Sequence, residues 1–346
     1  MSSNATNSTV ACLASQSFQE VTENAEYFSY FVLVYPYFFL GILGHGLFLT
    51  ACLRQTQQEA AYLYQVLLAA LKILEITSFT ILSLAFNRWA GLDDEGAYWY
   101  RSQFGLMWFA AHVNIPLVNG FINSCLFLSL CMSVDRVLAL AAPHLYHQVS
   151  KQRNRICAFA ICLAVGFLIV GFDTLRFNLE FDHSTGLYTL KTNAAYVSSV
   201  TATILANLRN GVLILAVLVL IVCNCAVIIL YKKKMIGAAA KPSQTEGNKD
   251  GAGKSILSEN ECKRRREAKK TLILLSVCES TLNSISVGFL ATFFVLIYLA
   301  PDFVNCQGLL MGPILDATLQ IASLLDFYAP LFVSKAFRRM VFPWCS

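Results

Sequence analysis

Charge is scarce in this chain. Asp, Glu, Lys and Arg make up 14% of its 346 residues, against roughly 25% in an ordinary soluble domain. With 56% hydrophobic residues and a mean hydropathy of +0.57, that deficit excludes a water-soluble globule. It excludes a disordered chain and a disulfide-stapled mini-protein too, and glycine and proline are too few for collagen-like repeats. Phosphate-cradling glycine loops, metal-ligand spacing among His and Cys, and a serine nucleophile elbow are all missing. No enzyme activity, cofactor, metal or nucleic-acid partner is therefore expected. What remains is a helical integral membrane protein.

A membrane-crossing helix needs about 20 mostly apolar residues. Seven stretches qualify, near 28–53, 62–86, 105–137, 156–175, 207–231, 269–299 and 308–333. Runs such as Gly211 to Leu230 lack the alternation of a β-barrel strand. The expected organisation is a polar tail over 1–27, a seven-helix all-α bundle over 28–334, and a tail over 335–346. The first 27 residues hold no Lys or Arg and no apolar core of a cleaved signal. They carry two glycosylation sequons, at Asn4 and Asn7.

Charge sets the orientation. With the N-terminus outside, the inner segments hold about 20 of the 26 Lys and Arg residues, and the outer ones about five. Lys232-Lys233-Lys234, Lys263 to Arg266, Lys269-Lys270 and the tail Lys335, Arg338, Arg339 carry the bias. A basic inner loop spans 232–268. An outer loop over 176–206 contains the turn signal Asp182-His183-Ser184-Thr185-Gly186, which permits a β-hairpin lid.

Ser133-Val134-Asp135-Arg136 closes the third stretch, followed by Ala139, Pro143 and Tyr146 and then by Lys151, Arg153 and Arg155. Alone, an Asp–Arg pair at a helix end also suits a snorkelling Arg with its counter-ion. The whole run resembles the end of the third helix of rhodopsin-like (class A) G-protein-coupled receptors. Gly41 to Leu47 resembles that family's first-helix signature, and Leu68-Ala69-Ala70-Leu71-Lys72 its second. Asp326-Phe327-Tyr328-Ala329-Pro330, then Phe337-Arg338, resembles the seventh-helix motif and the short amphipathic helix after it. Pro116-Leu117-Val118-Asn119 down to Arg136 is most similar to invertebrate FMRFamide-type neuropeptide receptors.

The resemblance implies a plasma-membrane receptor passing an extracellular peptide or small-molecule signal to a heterotrimeric G protein through Asp135 and Arg136. It has gaps. The outer end of the third stretch and the 176–206 loop lack the cysteines of the usual disulfide. The fourth stretch has no Trp, and Cys278-Glu279-Ser280-Thr281 replaces the usual Cys-Trp-x-Pro of the sixth. A transporter, or a seven-helix protein without regulated signalling, stays open as an alternative. Transporters usually show internal repeats and broken helices, and neither is visible.

Three polar residues fall where the resemblance expects others to face one another: His45, Lys72 and Asp326. A Lys at mid-bilayer costs on the order of 2.5–3.5 kcal/mol, so an anion should adjoin it. Asp326 is the partner the resemblance suggests, and Glu75, three residues along the same helix, is the competitor. Towards the outer face, His112, Asn119 and Asn123 recur as a helical stripe, with Glu279 and Asn283, and Asp316 and Gln320, as four-apart pairs. They suit a ligand cavity or interhelical hydrogen bonds. Cys12 and Cys306 are the two outer cysteines, candidates for a disulfide or two free thiols. Cys345 follows a basic amphipathic stretch that makes it a candidate for palmitoylation at the lipid surface.

Overall fold

The computed structural model describes residues 28–56, 62–86, 99–239 and 301–342, with isolated residues between 21 and 25 and between 277 and 288. A π turn over Phe28–Val32 leads into α1 (Val34–Thr56). α2 is Leu63–Phe86. α3 runs over Phe104–Ala141, and short α4 follows at Pro143–Val149. α5 is Gln152–Leu168, and α6 is Val200–Ala239. α7 is Pro301–Val333, and α8 is Lys335–Val341.

Apolar runs make these helices, and four of them, α1, α2, α3 and α6, are long and apolar enough to cross a membrane. They are also oily on the outside. Leu215, Leu218, Val222 and Ile229 of α6 and Phe39 and Leu43 of α1 stand exposed. Such faces suit a lipid solvent and not water. The chain is a multi-pass membrane protein.

α3 is the axis. It packs against α2, α5 and α6, while α1 packs against α2 and α7. The crossing of α3 with α5 depends on two glycines. A methyl group on Gly166 would lie 2.8 Å from Ser124 N and 3.0 Å from Gly120 O, and one on Gly120 would collide with the Phe167 ring. Backbones meet there because no side chain intervenes.

α3 changes pitch at a π turn over Ala110–Asn114. Pro116, at the start of the following α-helical stretch, explains it. Proline has no N–H, and its ring presses on the carbonyl four residues back, at His112; widening the turn relieves the clash. α3 ends at Ala141, before Pro143. Pro301 at the first position of α7 likewise suits a helix start.

Several elements differ from the apolar runs that mark them. α5 stops at Leu168, and Gly171–Leu175 is a 3-10 turn, where a helix to 175 is expected. α6 begins at Val200 and extends to Ala239, past both ends of its run. Backbone hydrogen bonding continues a helix into polar flanks that composition counts as loop. Most of the expected sixth stretch lies outside the described residues.

The 176–206 loop does hold a hairpin. β1 (Phe177–Asp182) and β2 (Leu187–Thr192) pair antiparallel, with Phe177 opposite Thr192 and Asp182 opposite Leu187. Asp182 organises the turn. Its carboxylate accepts from Ser184 N at 2.9 Å, Ser184 Oγ at 2.6 Å and Thr185 Oγ1 at 2.8 Å. Gly186 supplies the left-handed φ of 72°. At the base, Asn193 Nδ2 donates to Leu175 O at 3.1 Å. Leu179, Tyr188 and Leu190 pack on Tyr100, Met107 and Ala110, and Tyr188 meets Phe104 edge-on at 5.5 Å. Apolar packing therefore fixes the lid to the start of α3, with no cysteine in either partner.

α8 folds back under the bundle. Ser334 Oγ accepts from Phe337 N, and the fully buried Phe337 ring meets Phe48 at 5.6 Å and Phe327 at 5.9 Å. Arg338 donates to the carbonyls of Leu331 and Phe332, which the end of α7 would otherwise leave open.

Candidate functional site

Two buried polar sites sit at different depths. The first lies between α1, α2 and α7, where His45, Lys72, Glu75, Ser323 and Asp326 are all buried. The Lys72 ammonium lies 3.0 Å from Glu75 Oε2. Glu75, the competing partner, is thus in contact with Lys72. Glu75 reaches the ammonium from the same face of the same helix, so no interhelical geometry has to be met. Asp326, also buried, adds to the charge environment of Lys72. His45 Nε2 lies 3.1 Å from Ser323 O. A carbonyl only accepts, so Nε2 carries the proton, and α1 is hydrogen-bonded to α7. Further along α7, Gln320 Nε2 donates to Ser29 O at 3.2 Å.

The second site lies at the Arg136 end of α3. Asp135 and Arg136 are both buried, with Arg136 Nη1 3.9 Å from Asp135 Oδ2. Arg155, from the first turn of α5, enters between them and α4. Its Nη2 lies 3.5 Å from Asp135 Oδ1 and donates to Tyr146 Oη at 2.8 Å. Its guanidinium stands 5.6 Å from the Tyr64 ring of α2 and 5.9 Å from the Tyr146 ring. One side chain, 2% exposed, thus joins α2, α3, α4 and α5. Two residues before Asp135 on α3, Ser133 Oγ donates to Asn224 Oδ1 of α6 at 3.1 Å. A planar, permanently charged group with several donors can hold so many partners at once.

The sequence singles out Asp135, Arg136 and Tyr146 but passes over Arg155. Its neighbours Lys151 and Arg153 are exposed, and the three read together as one solvated basic stretch. Spacing was the available signal: Arg155 is the member of the stretch nearest the apolar run of α5.

The residues of the outer stripe differ in burial. His112 is in the π turn, half-buried, stacked on Trp108 at 5.1 Å and donating from Nδ1 to Trp108 O at 3.1 Å. Asn119 is half-buried, and Asn123 is buried. A π turn inserts an extra residue, which rotates what precedes it by about 100° relative to a regular helix. His112 lies within that turn, ahead of the α-helical stretch that carries Asn119 and Asn123. Asp316 is half-buried on α7, and Gln320 is buried. Glu279 and Asn283, like Asn4, Asn7, Cys12 and Cys345, lie outside the described residues, and Cys306 is described only as backbone of α7. Among the described residues, no group of His, Cys, Asp and Glu could hold a metal ion.

Long apolar helices around a charged, many-partnered helix end define a helical membrane protein whose bundle is tied at one face. Residues 98–250 match the family model described as Serpentine type 7TM GPCR chemoreceptor Srx. The matched segment contains α3, the Asp135–Arg155 network, the hairpin and α6. It covers less than half of the chain and is a similarity to that family. It supports a receptor of the G-protein-coupled type, in a family of receptors and not of enzymes. No curated protein matches the chain.

Proposed function

We propose that the protein is a seven-helix chemoreceptor, with its N-terminus outside, that converts binding of an extracellular chemical cue into activation of a cytoplasmic G protein at the plasma membrane. The observation that carries this reading is the Arg155 network. It ties α3 to α4 and α5 through contacts between elements, so a relative shift of those helices breaks it. A ligand that favours the shifted arrangement moves the population towards it, and the freed Asp135–Arg136 end becomes available to the G protein. The hairpin lies at the opposite end of α3, as a lid over a ligand site should. The basic residues collect at the Arg136 end and in the loop after α6.

The motifs suggest a peptide ligand of the FMRFamide kind, whereas the matched family is described as chemoreceptors. We take a small environmental molecule as the first ligand class. Asn119, Asn123, Asp316 and Gln320 supply the polar groups to orient it. The test is a G-protein dissociation assay in cells, run over small organic cues, amines and peptides. Wild type should respond to members of the first group, and Arg136→Ala should reach the surface without responding. A surface-expressed wild type that activates no G-protein class over the panel, with basal activity unchanged by Arg155→Ala, would overturn the reading.

A further inference from the structure

Cys131 of α3 and Cys162 of α5 face each other across the helix crossing, with their sulphurs 3.5 Å apart. The crossing leaves them little room to separate, since the Gly120–Gly166 approach holds the two backbones together about one turn away along α5. Cys162 is buried and Cys131 half-buried. Cys157 and Cys225 of the same region are the more exposed thiols, so the case for this pair rests on its proximity and not on accessibility. Each cysteine also lies within two turns of the Arg155 network, Cys131 four residues before Asp135 and Cys162 seven after Arg155.

We propose that Cys131 and Cys162 form a redox-modifiable dithiol, a site at which a hydroperoxide closes a disulfide between α3 and α5. Cys131, the more accessible of the two, reacts first. Its sulphur attacks one peroxide oxygen, the O–O bond breaks, and a sulfenic acid and one water are formed. The Cys162 sulphur then attacks the sulfenic sulphur, expelling the hydroxyl as a second water with the Cys162 proton. Two thiols are oxidised, and one hydrogen peroxide is reduced to two waters. The sulphurs must close from 3.5 Å to about 2.05 Å, a movement within reach of side-chain rotation. In a reducing cytoplasm the pair rests as thiols, and a thiol reductant restores it. The product is a covalent staple beside the Asp135–Arg155 contact. This chemistry does not depend on the receptor reading.

The experiment treats the full-length protein in membranes with hydrogen peroxide, denatures it, alkylates the remaining thiols with N-ethylmaleimide and maps the peptides without reduction. The expected result is loss of alkylation at Cys131 and Cys162 together, with a linked 131–162 peptide that dithiothreitol removes. Cys131→Ser should abolish the linked peptide and leave Cys162 alkylatable. Serine is close to cysteine in size, and surface expression of the variant checks its folding. Recovery of both cysteines alkylated, or oxidised separately to sulfinic acids with no linked peptide, would overturn the proposal.

Discussion

Among the described residues, charge is buried in two places, and differently. At mid-bundle, Lys72 meets Glu75 inside one helix, three residues apart. At the Arg136 end, Asp135 meets an arginine from another helix, and that arginine also holds a tyrosine from a third element. An intrahelical pair moves with its helix and is blind to rearrangement of the bundle. An interhelical one breaks when its helices separate. The first solves a solvation problem for α2, and the second is placed to register a change of state. Buried ion pairs are weak evidence of stability in themselves, so the difference in connection matters more than the presence of charge.

Substitution sharpens that contrast. The largest effect should come from Lys72→Met, which strands Glu75 and should cost about 3–5 kcal/mol. Surface expression is expected to fall sharply, and Lys72→Met with Glu75→Gln should recover much of it. Lys72→Met with Asp326→Asn should recover less. If the Asp326 double variant recovers more, Asp326 is the true partner and the intrahelical description of this site is wrong.

Arg155→Ala should cost less stability, roughly 1.5–3 kcal/mol for lost charged hydrogen bonds, because Arg136 remains beside Asp135. Its signature should be raised basal signalling, a change that the mid-bundle double variant should not produce. Equal basal signalling in Arg155→Ala and wild type would erase the functional distinction between the two sites. Gly166→Ala tests the crossing on which the Arg155 contact rests. Overpacking there should cost about 1–3 kcal/mol, read as a lowered thermal midpoint of the detergent-extracted protein.

The smallest effect lies in the hairpin turn, far from both sites. Hydrogen bonds from Ser184 and Thr185 hold the Asp182 carboxyl at about 2, below its ordinary 3.8. A depressed carboxyl stabilises above its unfolded value and loses that contribution as pH falls through the folded one. Amide exchange at Ser184 to Gly186 should therefore stay constant from neutral pH down to about 4, after correction for intrinsic rates. Protection should then weaken towards pH 2. Weakening already between pH 7 and 5 would count against Asp182.

Much of this was legible from residue type alone. Unbroken apolar runs mark α1, α2, α3 and α6, and Asp182 to Gly186 marks the hairpin turn. Lys72 in an apolar helix announces that an anion must be near, and Glu75 was visible as the same-face competitor. That Glu75 reaches the ammonium is a matter of distance, which sequence does not contain. Arg155 stayed hidden because charge in a basic stretch looks solvated until the fold buries one member. The stripe through His112, Asn119 and Asn123 assumes constant helical pitch, and the π turn ahead of Pro116 is a departure from it that residue spacing does not show. The sequence suggested a receptor with its motifs partly altered, and the similarity of residues 98–250 to a chemoreceptor family agrees at that coarser level.

The π turn at Ala110–Asn114 makes α3 a screw with two threads. From Pro116 onward, one thread indexes Asn123, Cys131, Asp135 and Arg136 against the bundle. Before Ala110, a second thread indexes Phe104 and Met107 against the hairpin. The slip between them decouples the two. Residues of the hairpin-facing turns can be exchanged, and their faces re-aimed, without rotating a single group of the Asp135 end. On the receptor reading proposed above, variation in what is recognised can thus accumulate on one thread while the other keeps its engagement unchanged.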